Sequence, residues 1–254
     1  MSVSDQELNR SPRCATSLLW LAGFTSATML KHVGLGPCLL YSSIKMKLVT
    51  VLRKEGLQMP DPLYLSLWFP HFETIEMLPR AVTVMKQFPF STRRPGVTYL
   101  ALHPVSWGEA TVLEQRFNPG IPPEEAAGIA NDLLHGDYAY VFEAFWDLWT
   151  PGTAGEPWSL KPNQVKFLVH GREFERTDPE VGDIEIDFGL DTPFLHEELR
   201  LAPDDASKLK INVQKLVALT TALEKSSGAS GRLLRSESDE SLPQKLVSRL
   251  QRVQ

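Results

Sequence analysis

The stretch from Tyr138 to Trp149, YAYVFEAFWDLW, carries six aromatic residues in twelve positions and contains neither glycine nor proline. β-Branched and aromatic residues of this density suit a pleated surface, and the absence of polar alternation suggests burial on both sides. The pattern predicts a long interior strand with apolar side chains on both faces. The segment from Met59 to about Ser226 is then readable as one α+β domain arranged around it.

Upstream, Leu63, Leu65, Leu67 and Phe69 alternate with Tyr64, Ser66 and Trp68, which is the period of a strand. From Phe72 the period changes to that of a helix, with Phe72, Ile75, Leu78, Val82 and Met85 on one face and Pro79 expected to kink or restart it. Ser91 to Gly96 (STRRPG) reads as a connecting loop. Two strands follow, Val97–Val105 and Thr111–Phe117, joined near Trp107 and Gly108. Pro122 and Pro123 with Glu124 and Glu125 mark a helix start, and Gly136 its end. The order β-α-β-β-α-β is that of a ferredoxin-like sandwich, a pattern that assigns no function by itself.

In that layout both helices cover one face of the sheet. The other would carry Tyr64 and Trp68 from the first strand and Ala139, Val141, Glu143, Phe145, Asp147 and Trp149 from the long one. Aromatic side chains on a sheet can stack single-stranded RNA, but the two carboxylates would repel phosphate and no basic cluster flanks them. The expectation is therefore no nucleic-acid partner, and a further element laid over this face.

Beyond Pro151 the chain supplies a β-hairpin, Gln164–Arg172 and Asp183–Gly189. Pairing Arg172 with Asp183 and His170 with Glu185 would make Asp183, Glu185 and Asp187 a charge-paired row instead of a metal site, because alternate strand positions point in parallel. From Pro203 a long helix presents Leu209, Val213, Leu216, Thr220 and Leu223, and it is the expected cover for the open face or the hairpin. Residues 227–240 are rich in Ser, Gly and charge and read as a mobile linker. Residues 241–254 read as an amphipathic basic helix, in which Leu242, Leu246 and Leu250 are the expected partner-binding residues for a protein partner or a second copy.

The first 58 residues differ in kind. They hold seven Lys/Arg against three Asp/Glu, whereas residues 59–254 hold 19 against 28, a formal −9. Both cysteines, Cys14 and Cys38, lie there too. Arg10 and Arg13 before an uncharged run from Cys14 to Leu30 outline a signal segment, but five hydroxyl residues dilute it. Arg53-Lys54-Glu55-Gly56 can be encoded by a purine-rich ribosome-binding sequence of bacterial type, and Met59 follows at a suitable distance. The reading favoured for residues 1–58 is a non-native leader or a disordered segment, with a true start at Met59 and a cytoplasmic protein.

No phosphate-binding glycine loop, dinucleotide fingerprint or nucleophile elbow is present. The acidic domain lacks the electrostatic footprint for nucleic acid or a membrane surface, and without cysteine it has no thiol nucleophile or Cys-ligated zinc. No cofactor and no metal are expected. The leading expectation is a noncatalytic binding or assembly module. The alternative is a small acid/base or metal-assisted enzyme with a His/carboxylate site, for which the weak candidates are His103, Glu114, Arg116, Asp191 and His196.

Overall fold

The computed structural model of the chain describes residues 60–152, 157–176, 178–195 and 202–236. The proposed leader, His196 and the helix carrying Leu242, Leu246 and Leu250 lie outside the described residues. Those that are described form a mixed α/β structure with a seven-stranded, wholly antiparallel sheet and three helices. In chain order these are β1 (Pro62–Trp68), α1 (Thr74–Lys86), β2 (Val97–Pro104), β3 (Leu113–Ile121), α2 (Pro123–Asn131), β4 (Tyr138–Thr150), β5 (Ser159–His170), β6 (Ile184–Leu190), α3 (Pro203–Ser226) and β7 (Gly231–Ser236). No described helix is long and apolar enough to cross a membrane.

Across the sheet the strands run β3-β2-β4-β5-β6-β1-β7. A ferredoxin-like layout splits each βαβ unit by one strand. The unit β3-α2-β4 does so around β2, but β1-α1-β2 is split by β4, β5 and β6 together. The expected four-stranded layout is therefore not followed, and the sheet is larger. The cause lies in the lengths of β4 and β5, which pair continuously from Ala139↔His170 to Thr150↔Ser159. That long ladder draws the β5–β6 hairpin into the sheet instead of over it.

The hairpin register also differs from expectation. Leu168 opposes Glu185 and Lys166 opposes Asp187, which leaves His170 beside Asp183. The carboxylates still find cations, though from other segments: Asp183 pairs with Arg176 at 3.4 Å and Glu185 with Arg235 of β7 at 2.8 Å. Arg172 instead pairs with Glu73.

One face of the sheet is apolar throughout. Leu65, Ile186, Phe167, Phe142 and Leu100 stand opposite one another from β1 to β2, all at 1% exposure or less. Trp146, 1% exposed, lies among the rings of Phe88, Phe188 and Phe194. α1 adds Met77, Leu78, Ala81, Val84 and Met85, and α2 adds Ala126 and Ala130. Ile75, expected on this face, is 75% exposed. α1 runs unbroken through Pro79, because the carbonyl that loses its donor there belongs to this exposed residue.

α3 does not cover the opposite face. Its Val213, Leu216, Leu219 and Leu223 join the same core as the leucines of β1 and the isoleucines of β6. A sheet of this width exceeds what α1 and α2 can cover, and α3 completes that layer. Asn212, fully buried, ties the helix to the end of β4 by accepting from Trp149 N at 3.0 Å and donating to Trp149 O at 2.7 Å. Residues 231–236, expected within a mobile linker, form an edge strand against β1, where Arg232 and Arg235 reach Glu224 and Glu185.

Candidate functional site

With all three described helices on one side, no described helix covers the other face of the sheet. Directly opposed residues share a face, so the register gives its layout. One row crosses all seven strands as Arg235, Tyr64, Asp187, Lys166, Glu143, Tyr99 and Arg116. It is symmetric in chemistry about Lys166: cation, ring and acid on each side. The two outer guanidiniums lie over the rings beside them, Arg235 5.0 Å from the Tyr64 centroid and Arg116 4.9 Å from that of Tyr99. Arg235 is ion-paired with Glu185 and Asp178, whereas Arg116 has no carboxylate partner among the described residues.

Arg116 borders a distortion of the sheet. Between the pairs Val97↔Ile121 and Tyr99↔Arg116, β2 advances two residues and β3 five. Phe117 to Gly120, set against Thr98 alone, bulge out around a cis Asn118–Pro119 bond. Gly96, at φ +76°, and Gly120 let the backbones approach behind the bulge, since a Cβ on either would lie within 2.5 Å of a carbonyl oxygen. β2 bulges against β4 at the same level, which re-aims Thr98 so that its hydroxyl donates to Glu143 O at 3.3 Å.

The loop after α1 closes the other side. Asp147, in β4, accepts from Ser91 Oγ at 2.6 Å and from Thr92 N and Oγ1 at 3.0 and 2.9 Å. Ser91 Oγ in turn accepts from the backbone N–H groups of Arg93 and Arg94. Burial pushes the Asp147 carboxyl up, but these hydrogen bonds, with Lys215 nearby, outweigh it and hold the group below the ordinary carboxylate value. Asp147 therefore does not face an open sheet as a free charge; it anchors the loop. Arg94 then lies over Phe145, 4.0 Å from the ring centroid.

Loop, bulge and sheet enclose a groove of about 510 Å3 whose lining includes Arg93, Arg94, Arg116, Glu143 and Gln164. Of the eight arginines among the described residues, Arg80, Arg172, Arg176, Arg232 and Arg235 are ion-paired. The three without a carboxylate partner are the three that line this groove.

Beside the groove the structure brings together three of the sequence candidates. Glu114 opposes Ala101, which places it between Tyr99 and His103 along β2. Burial first, then Glu114 and Glu143, raise the Tyr99 hydroxyl above its usual value against the pull of Arg116. His103 is lowered by burial, with Glu114 opposing. Its Nδ1 is buried and has no hydrogen-bond partner among the described residues.

His103 continues into an aromatic cluster. The Trp107 ring lies 4.9 Å from His103, 5.8 Å from His170 and 5.0 Å from Phe174. Val105, at φ +59°, turns the chain so that Trp107 reaches them. Such a conformation is strained for a β-branched residue; backbone bonds to Asp137 O and from Glu175 N hold it. His170, 2% exposed, has its pKa lowered to about 4 by burial and by Arg176, against a hydrogen bond to Gly182 O.

Asp191 is not part of this constellation. It lies after β6, where Oδ1 accepts from Asp61 N at 3.2 Å and N donates to Asp61 O, locking the entry to β1. Among the described residues no group of three His, Cys, Asp or Glu is disposed to hold a metal ion. Arg93, Arg94, Glu143 and Gln164 were not read as site residues from the sequence. The available signal was Arg93 and Arg94 following Ser91 and Thr92 in an acidic domain, with no acid at helical or cross-strand spacing to absorb them. Comparison with family models, curated proteins and solved structures finds no match to this chain, which leaves the geometry as the source of a functional reading.

Proposed function

We propose that the chain is a noncatalytic binding module that holds a small anionic ligand in the groove between Arg94 and Arg116. The observation that carries this reading is the coincidence of the unpaired arginines with the groove. Every other arginine among the described residues has a carboxylate, and the surrounding domain is acidic, so local positive charge here is a selective feature. Both guanidiniums lie over rings, which restricts their side chains and lowers the entropy lost on binding. The groove falls in the size range of small-molecule sites. Glu143 and Asp187 in the central row favour a compact ligand over a nucleic-acid backbone laid across the whole face.

Isothermal titration with inorganic phosphate and citrate tests this reading. Millimolar or tighter binding of at least one, lost in both Arg94→Ala and Arg116→Ala with melting unchanged, is the expected result. Absence of binding, or binding indifferent to both substitutions, overturns it.

A second reading, an acid/base enzyme, draws on the buried Nδ1 of His103, which has no hydrogen-bond partner among the described residues and lies beside Glu114. It requires that a bound ligand be chemically changed. Nuclear magnetic resonance of a titrated ligand over hours, with wild type against His103→Gln, separates turnover from simple binding.

A further inference from the structure

Resting on the anion-binding reading, we infer that the ligand of this groove is a phosphate monoester of a polyhydroxylated compound, such as a sugar phosphate. The groove is chemically two-sided. The walls, carried by the 91–94 loop and the β3 bulge, bring guanidinium groups; β4 and β5 bring Glu143 and Gln164. A free anion gains from the first set and is repelled by the carboxylate of the second. Occupying both sides needs an anionic end joined to an end that donates hydrogen bonds.

The nature of each end follows from the side chains. One carboxylate is satisfied by the fork of a single guanidinium, whereas a phosphate monoester carries about −1.5 to −2 charges and three acceptor oxygens. Arg94 and Arg116 reach the groove from different segments, so a ligand group with oxygens in three directions can use both. At the other end, Glu143 is 15% exposed and already has Lys166 Nζ at 4.0 Å. Its charge is partly balanced, and the lone pairs that remain call for neutral donors instead of a second cation. Adjacent hydroxyls meet that need, with the Gln164 amide offering one donor and one acceptor beside them. The volume of about 510 Å3 is several times that of a phosphate ion, so the phosphate alone leaves the groove largely unfilled.

Titration calorimetry with glucose 6-phosphate, ribose 5-phosphate and glycerol 3-phosphate, set against inorganic phosphate and glucose, tests the inference. At least one of the esters should bind tenfold or more tighter than inorganic phosphate, and glucose should not bind. Glu143→Gln and Gln164→Ala should each remove most of that advantage while inorganic phosphate binds as well as before or better. Arg116→Ala should lose ester and phosphate alike. Melting curves of each variant show which are folded, and either of the first two suffices. If inorganic phosphate binds as tightly as every ester, or neither variant narrows the gap, the polyol phosphate is ruled out and the anion site stands. If no anion binds, both readings fall together.

Discussion

Phe142 and Glu143 are neighbours in β4 and meet opposite environments. Phe142 is fully buried beneath the helix layer, in line with Leu100, Phe167 and Ile186. Glu143 faces the open side, in line with Tyr99 and Lys166, at the groove. The same alternation runs through the sheet, so one face is continuous hydrocarbon, whereas the other sets a row of ions and rings beside a row that includes Leu168, Val141 and Ala101. Apolar burial is the dominant favourable term in folding, while exposed ion pairs contribute little. The helix-covered face therefore holds the protein together, and the open face is free to be shaped for recognition.

The sharpest challenge to this division is aromatic truncation on the two faces. Trp146→Ala removes a ring 1% exposed among Phe88, Phe188 and Phe194 and should cost about 3–5 kcal/mol. Phe145→Ala, next in the chain but half-buried beneath Arg94, should cost under about 2 kcal/mol. Equal shifts in urea midpoint would show that the faces share the stabilising work.

Next in size is a pH effect at His170, which lies on the open face where the 171–183 loop buries it. Its folded pKa of about 4 lies below the ordinary 6.5, so below pH 6.5 the unfolded chain takes up the proton first. Stability should fall as pH drops from 6.5 towards 4, by about 3 kcal/mol for the whole interval. His170→Phe should flatten that part of the profile measured by denaturant unfolding. An unchanged slope would remove His170 as its cause.

Asp147→Ala should be milder in stability, about 1–2 kcal/mol, because the hydrogen bonds lost are partly solvated. Its expected signature is weaker anion binding despite a folded protein, since Asp147 positions Arg93 and Arg94 without lining the groove. The depressed carboxyl sets the sign with pH: its contribution is present above about pH 4 and is lost as pH falls through the lower folded value. The smallest effect belongs to Arg116→Ala, an exposed residue, with a stability change within about 0.5 kcal/mol. A large change there would mean that the groove arginines serve the fold.

The sequence makes the local elements plain, because β1, β5 and α3 each carry an unmistakable period and β4 an unbroken run of strand formers. The strand order is another matter. Leu63, Leu65 and Leu67 specify a buried face but not which strands flank β1, and its neighbours prove to be β6 and β7, both more than a hundred residues further along the chain. Arg116, Glu114 and His103 were legible as chemistry-bearing residues, since they lie on adjoining strands. Arg93 and Arg94 read as an ordinary loop because their placement depends on Asp147, more than fifty residues away, and on a bulge in β3 that alternation does not encode. β7 went unseen for a similar reason: its contribution is an ion pair to Glu185 and a backbone ladder, not an apolar stripe.

The place of β1 in the sheet also has a consequence for how the chain is made. Strands β2 to β6 follow one another closely, and each finds a partner soon after it is synthesised. β1 is the first of the described strands, yet Ser66 meets Glu185 at a separation of 119 residues and Trp68 meets Ser230 at 162. A nascent chain holds this strand, with its three leucines, unpaired until β6 has left the ribosome. Long-range closure of this kind is entropically costly and slow. The alternation of Tyr64, Ser66 and Trp68 with those leucines leaves only one side of the waiting strand strongly apolar, and β7 seals its outer edge last.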